Sequence, residues 1–182
     1  MAISLGPSLY ILHLQLLVQE GFVRRSKAEG REPEGVPPEV ADLFPSEFEE
    51  SELGAIPKGW QVGTLGEIST NVRSQARPDE FSDEMAYIGL EHMPRKSIAL
   101  GEWEGASKVD SAKYRFKQGQ ILFGKLRPYF HKVGIAPLDG VCSTDILVIE
   151  PKTQAHRSLC ICHFSSTRVV DYATQLSNGA KM

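Results

Sequence analysis

Pro33, Gly35, Pro37, Pro38, Pro45, Gly54, Pro57 and Gly59 interrupt the stretch from residue 24 to residue 59, with acids crowded between them. Each proline fixes φ and removes a backbone donor, so no long helix or central strand can run through this stretch. Its apolar residues stand singly, as Leu43, Phe44, Phe48, Leu53 and Ile56. Such a segment can lie along a surface but cannot build a core of its own. The punctuation therefore divides the chain into residues 1–23, an acidic Pro-rich linker over 24–56, and a folded domain over 57–182. Pro57-Lys58-Gly59-Trp60 is the entry to that domain, with Trp60 expected to anchor it by packing.

Before the linker, Leu9, Leu12 and Leu16 fall near helical spacing and predict a short amphipathic helix that needs a partner. The apolar run from Leu9 to Val18 is too short to cross a bilayer and carries His13 and Gln15. No Lys or Arg precedes it, which argues against a secretory signal. The expected setting is cytoplasmic, with no membrane partner. Cys142, Cys160 and Cys162 fit reduced thiols there. His156, Cys160, Cys162 and His163 invite a zinc reading, but no second Cys/His pair stands at zinc-finger spacing, so buried thiols are the expectation.

Beyond Trp60 the signals are strand-like. Short β-type runs occupy Gln61 to Leu65 and Met85 to Leu90, and Tyr114 and Phe116 alternate with Arg115 and Lys117. Ile121-Leu122-Phe123 is a short buried run. Asp139-Gly140 predicts a hairpin joining Val133–Ala136 to Ile146–Ile149, which Pro151 ends. After Pro151 the pattern turns helical, with Ser166 as N-cap for Thr167–Gln175 and Ser177-Asn178-Gly179 as the stop. The fold class is α+β: a mainly β, twisted-sheet domain with one or two closing helices, preceded by a short helix and an extended linker.

Net charge of -3 conceals an asymmetry. Residues 1–56 hold four Lys and Arg against ten Asp and Glu, whereas residues 57–182 hold sixteen against thirteen. From Ser111 to Leu138 there is no acid at all, yet Lys113, Arg115, Lys117, Lys125, Arg127, His131 and Lys132 are present. Within that stretch the loop from Gly124 to Lys132 sits between two predicted strands, where binding groups are commonly displayed. Gly124 is expected to let backbone approach a partner, and Pro128 to stiffen the loop. Arg127 can fork onto a phosphate or a guanine edge, while Lys125 and Lys132 act as point charges. Charge alone leaves RNA, an acidic protein or an anionic lipid open as the partner, and a solvated face is the plainer reading.

Catalytic readings are weak. Ser143, Thr144 and Asp145 have no histidine placed to activate them and read as a hydrogen-bonded turn. The Pro37-Pro38 pair is followed by Glu39, not by the aromatic residue of an amino-methyltransferase motif. Pro78-Asp79 with Glu150-Pro151-Lys152 mimics nuclease elements, but Pro151 breaks the strand that should carry the carboxylate.

Several ordered motifs resemble one family. Gly124-Lys125-Leu126-Arg127-Pro128-Tyr129, then Asp139-Gly140-Val141-Cys142-Ser143-Thr144-Asp145, then Gly179-Ala180-Lys181-Met182 resemble the target-recognition domain of type I restriction–modification specificity subunits. Ala41-Asp42-Leu43-Phe44-Pro45, Ser51-Glu52-Leu53-Gly54 and Ile56-Pro57-Lys58-Gly59-Trp60 resemble the segment that leads into it, and Arg24 to Gly35 the stretch after the family's spacer helix. Members usually carry two such domains separated by long helices, so the chain reads as a truncated, single-domain version.

The resemblance implies double-stranded DNA as ligand, with one domain reading half of a bipartite site. It implies a methyltransferase subunit and a motor/endonuclease subunit as partners, which would use S-adenosylmethionine, ATP and Mg; the chain itself needs no cofactor or metal and is not an enzyme. The DNA-binding candidates are Lys125, Arg127, Tyr129 and Lys132, with Lys113, Arg115 and Lys181 behind them. His92, Arg95, Lys96 and Trp103, in the segment from Asn71 to Val109, are candidates for base-specific contacts by analogy. A homodimer formed through Leu9–Val18 would restore a second reader.

Overall fold

A computed structural model describes residues 2–5, 23, 25–27, 29–42, 47–52 and 54–179. The chain forms two compact units, Met1–Ile68 and Ser69–Met182. The helix expected over Leu9–Val18 lies outside the described residues.

In the first unit, β1 (Ala2–Leu5) pairs antiparallel with β4 (Gln61–Thr64), placing Ala2 opposite Thr64 and Leu5 opposite Gln61. The linker has local order: α1 (Pro38–Ala41) is a single turn, and β2 (Phe48–Ser51) and β3 (Gly54–Pro57) form a two-stranded ribbon. Pro38 opens α1, where its missing N–H is no loss. The ribbon's acids face solvent, as Glu49 and Glu50 are exposed while Ile56 is buried. Lys58 closes it, its Nζ donating to Glu47 Oε2 at 2.5 Å. The unit ends with α2 (Leu65–Ile68).

The second unit is built on two sheets. Its further strands are β5 (Ser69–Val72), β6 (Gln75–Ala76), β7 (Ala86–Ile88), β8 (Glu104–Gly105), β9 (Lys113–Phe116), β10 (Ile121–Gly124), β11 (Val133–Ile135), β12 (Gly140–Cys142) and β13 (Ile146–Pro151). One sheet has the order β11-β10-β13-β5 and is antiparallel throughout. The other has the order β6-β9-β12-β7-β8, with β12 and β7 parallel. Two helices follow, α3 (Gln154–Phe164) and α4 (Thr167–Gly179). The mixed sheets and helices make this an α+β fold.

The unbroken apolar run of β10 has a physical reason: the strand is covered on both faces, so every position is buried. Phe123 packs against Phe164 of α3, ring centroids 5.6 Å apart. Leu122 points the other way, into a core shared by both sheets that includes Ile88, Met93, Phe116, Cys142, Ile146 and Val148. Burying Ile121, Leu122 and Phe123 contributes roughly 1.5–3 kcal/mol apiece. Thr153 caps α3, its Oγ1 accepting from His156 N at 3.1 Å. Ser166 immediately precedes α4, and its hydroxyl accepts from Val169 N at 3.4 Å.

The expected hairpin at Asp139-Gly140 is corrected. β11 and β13 are not partners, because both flank β10. Between them the chain crosses to the other sheet, where Gly140 opens β12 between β7 and β9. The glycine serves close approach: a Cβ there would stand 2.4 Å from the Ala86 carbonyl oxygen. Asp139 serves the same crossing, its carboxylate accepting from Gln118 N at 2.7 Å. Turn chemistry and tight interstrand approach both select glycine, so the dipeptide alone does not separate them.

Candidate nucleic-acid interface

Gly124 ends β10, and the chain returns into β11 only at Val133, directly opposite Phe123. The residues between them form a finger closed at its base by the backbone. Gly124 N donates to Lys132 O, and Lys125 N to Asp145 O, each at 2.9 Å. At its centre Pro128–Phe130 forms a 3-10 turn, with Phe130 N donating to Arg127 O at 3.1 Å and His131 N to Pro128 O at 2.8 Å. Arg127 and His131 bracket the turn in left-handed conformation, φ 52° and 51°. A non-glycine residue held so costs about 1–2 kcal/mol, which the rest of the loop must offset. Pro128 is fully buried and anchors the turn. α4 packs against the same turn.

The tip faces solvent. Lys125 and Arg127 are exposed, Leu126 is 50% exposed and Tyr129 55%. Phe130 is half-buried, with the Arg95 guanidinium carbon 3.9 Å from its ring centroid. Tyr129 meets it edge-on, centroids 4.6 Å apart. Among the described residues neither Lys125 nor Arg127 has a carboxylate partner, whereas Arg31 pairs with Glu29, Lys58 with Glu47, Lys108 with Glu104 and Arg115 with Glu80.

Gly124 does not expose backbone to a partner, because it is buried. A Cβ there would meet Leu90 Cδ2 at 2.8 Å and Lys132 Cβ at 3.2 Å, so the close approach it permits is internal. Lys132 is half-buried and its Nζ donates to Leu90 O, which ties the finger to the segment after β7. Lys113 is only 6% exposed, and its ammonium donates to Ser111 O at 2.9 Å and to Ser111 Oγ at 2.6 Å. Arg115 pairs with Glu80. Thus of the basic candidates the finger brings Lys125 and Arg127 into solvent together. Lys181 lies outside the described residues.

Arg95 and Lys96 belong beside these residues, although the sequence places them in a separate loop. Lys96 N donates to His131 O at 3.0 Å, joining the two loops. The run Pro94-Arg95-Lys96 was the available signal, but its neighbour across the fold is invisible in one dimension.

Other candidate chemistry resolves as structure. Ser143 Oγ accepts from Asp145 N at 3.2 Å, and Ile146 N donates to Ser143 O at 3.0 Å, making the turn that enters β13. Cys142, Cys160 and Cys162 are free, buried thiols, and burial pushes Cys142 up to about 12 and Cys160 to about 11, and raises Cys162. Glu91, His92 and Glu104 bring ligand atoms within 4.8 Å of one another. However, His92 Nδ1 accepts from Gly89 N at 2.9 Å, so the neutral ring carries its proton on Nε2 and offers no lone pair. Among the described residues no helix is long and apolar enough to cross a membrane.

No family model matches the chain. It is 28% identical over 139 residues to the type I restriction enzyme EcoDI specificity subunit of Escherichia coli, covering 71% of this chain and 29% of that protein. It is 30% identical over 98 residues to a putative type I restriction enzyme MjaX specificity subunit of Methanocaldococcus jannaschii, covering 51% and 23%. The chain therefore spans less than a third of either relative. Among solved structures, the HsdS subunit from Thermoanaerobacter tengcongensis aligns with 92% of this chain and 45% of its own length, at 12% identity and a TM-score of 0.42. A second, from a study of type I R-M complex assembly, aligns with 91% and 46%, at 12% identity and a TM-score of 0.40.

Proposed function

We propose that this chain, similar to type I restriction enzyme specificity subunits in its motifs and its curated relatives, works as a target-recognition domain that binds double-stranded DNA and leaves catalysis to partners. The observation that carries this reading is the finger, whose exposed Lys125 and Arg127 stand on a turn anchored by buried Pro128. A cation without a carboxylate partner keeps its attraction for a polyanion, and a stiff loop loses little entropy on binding. Arg127 supplies a planar fork suited to a phosphate or to guanine O6 and N7. Tyr129 offers an exposed ring and hydroxyl next to it, for stacking or hydrogen bonding.

The chemistry belongs elsewhere in this reading. A methyltransferase subunit and a motor/endonuclease subunit, using S-adenosylmethionine, ATP and Mg, act at the site that the bound domain marks. The chain contributes position and sequence choice, in the cytoplasm where the DNA is.

Arg127→Ala tests the reading in a fluorescence-anisotropy titration of labelled duplex. Loss of one forked contact weakens binding by about 1–3 kcal/mol, roughly 5- to 150-fold. Unchanged affinity removes the finger from the interface.

A further inference from the structure

Lys96, Arg127 and His131 are the non-glycine residues with left-handed backbone among the described residues, and all three side chains are basic. Such positions ordinarily take glycine, and strain retained at them clusters at binding sites. Two of the three are coupled, since Lys96 N donates to His131 O at 3.0 Å. Lys96 and His131 also line one cleft of about 490 Å³, whose remaining walls are Ser97, Ile98, Val133, Ser165 and Thr167. Among the described residues no carboxylate side chain lines it.

The donor inventory points to one ligand chemistry. Lys96 offers an exposed ammonium and His131 a ring N–H. Ser97 Oγ already accepts from Ala99 N at 3.4 Å, which leaves its proton to donate outward. Ser165 is spent as a donor, its hydroxyl bonded to Ile161 O at 2.7 Å. Among the described residues no aromatic ring lines the cleft except the imidazole, so it is poorly made for a stacked base. Donors converging without acids suit a phosphate.

We infer that this cleft is a second phosphate site, taking a backbone phosphate of the same duplex that the finger grips. The inference rests on the DNA-binding reading. It assigns Lys96 and His131 to the backbone, where contacts set the register of a protein on DNA, and so explains why two loops are tied together there. The volume exceeds that of one phosphate and leaves room for the flanking sugars.

The test is a set of duplex titrations with the full chain as wild type, Lys96→Gly and Arg127→Ala, over a series of NaCl concentrations, with melting temperatures recorded in parallel. Glycine suits the left-handed position, so Lys96→Gly is expected not to lower the melting temperature. Its duplex affinity is expected to fall about 5- to 10-fold, with a log–log salt slope shallower by about 0.9, the share of one phosphate. Lys96→Asn, which tolerates the same backbone, should repeat the loss.

Wild-type affinity in both Lys96 variants, beside weakened Arg127→Ala, overturns the cleft and leaves the finger standing. Failure of the wild type to bind duplex overturns both. Inorganic phosphate separates the two sources of the anion. Displacement of wild-type duplex by phosphate beyond that by chloride at equal ionic strength, lost in Lys96→Gly, places free ion and backbone in the same cleft and supports the assignment. Phosphate that raises the wild-type melting temperature but displaces no more duplex than chloride assigns the cleft to the free ion and overturns it.

Discussion

Gly140→Ala probes the crossing that carries β12 between β7 and β9. Gly140 lies beside Ala86 in the parallel pair, and an added Cβ would stand 2.4 Å from the Ala86 carbonyl oxygen and 2.9 Å from Phe116 Cζ. Carbon and carbonyl oxygen normally approach no closer than about 3.3 Å, so roughly 1 Å of separation has to be found. Neither obstacle can swing aside: one is backbone in a sheet, the other a ring only 2% exposed. Overpacking costs about 1–3 kcal/mol, and a backbone clash belongs at about 3. With a urea m-value of about 2 kcal/mol per molar, the unfolding midpoint followed by circular dichroism should fall by about 1.5 M. Gly140→Asn should be worse still, because its side chain is longer. A turn glycine behaves oppositely, since asparagine is welcome in a two-residue hairpin. A midpoint within about 0.3 M of wild type for Gly140→Ala, or a benign Gly140→Asn, would refute the crossover argument.

That glycine marks where sequence reading stops. Ile121-Leu122-Phe123 and Ile146–Ile149 are legible as strands because apolar residues covered on both faces form continuous runs. The helical stretch after Pro151 is legible because its caps are local, but the expected stop is not one: α4 runs on past Gln175 through Ser177, Asn178 and Gly179. The finger is legible because the absence of acids over Ser111–Leu138 is a property of composition. Lys113 is not, since alternation on a strand places a cation outside unless a local acceptor such as Ser111 pays for its burial. Nor is the pairing of Lys96 with His131, which depends on two loops meeting far apart in sequence. Left-handed arginine and lysine leave no mark that reads differently from any loop cation.

Two further outcomes follow, one from burial and one from an ion pair. Cys142 has its thiol pushed up to about 12 against an ordinary value of 9.0, so the folded state holds its proton more tightly than the unfolded chain. That contribution is complete below pH 9 and is lost as pH rises towards 12; the loss is about 3 kcal/mol by pH 11, measurable as a falling urea midpoint above pH 9. A midpoint flat from pH 8 to 11 contradicts the burial. Arg115→Ala, which removes only a partner of Glu80, should leave duplex affinity within about twofold by anisotropy, and a tenfold loss would place Arg115 at the DNA.

The salt dependence of duplex affinity tests the central claim most directly, because only phosphate contacts release counterions. Lys125 and Arg127 together predict a log–log slope of about -1.8, and Lys96 would steepen it to about -2.7. Affinity that stays level from 50 to about 200 mM NaCl, a range over which phosphate contacts are strongly screened, contradicts a finger that holds the DNA backbone.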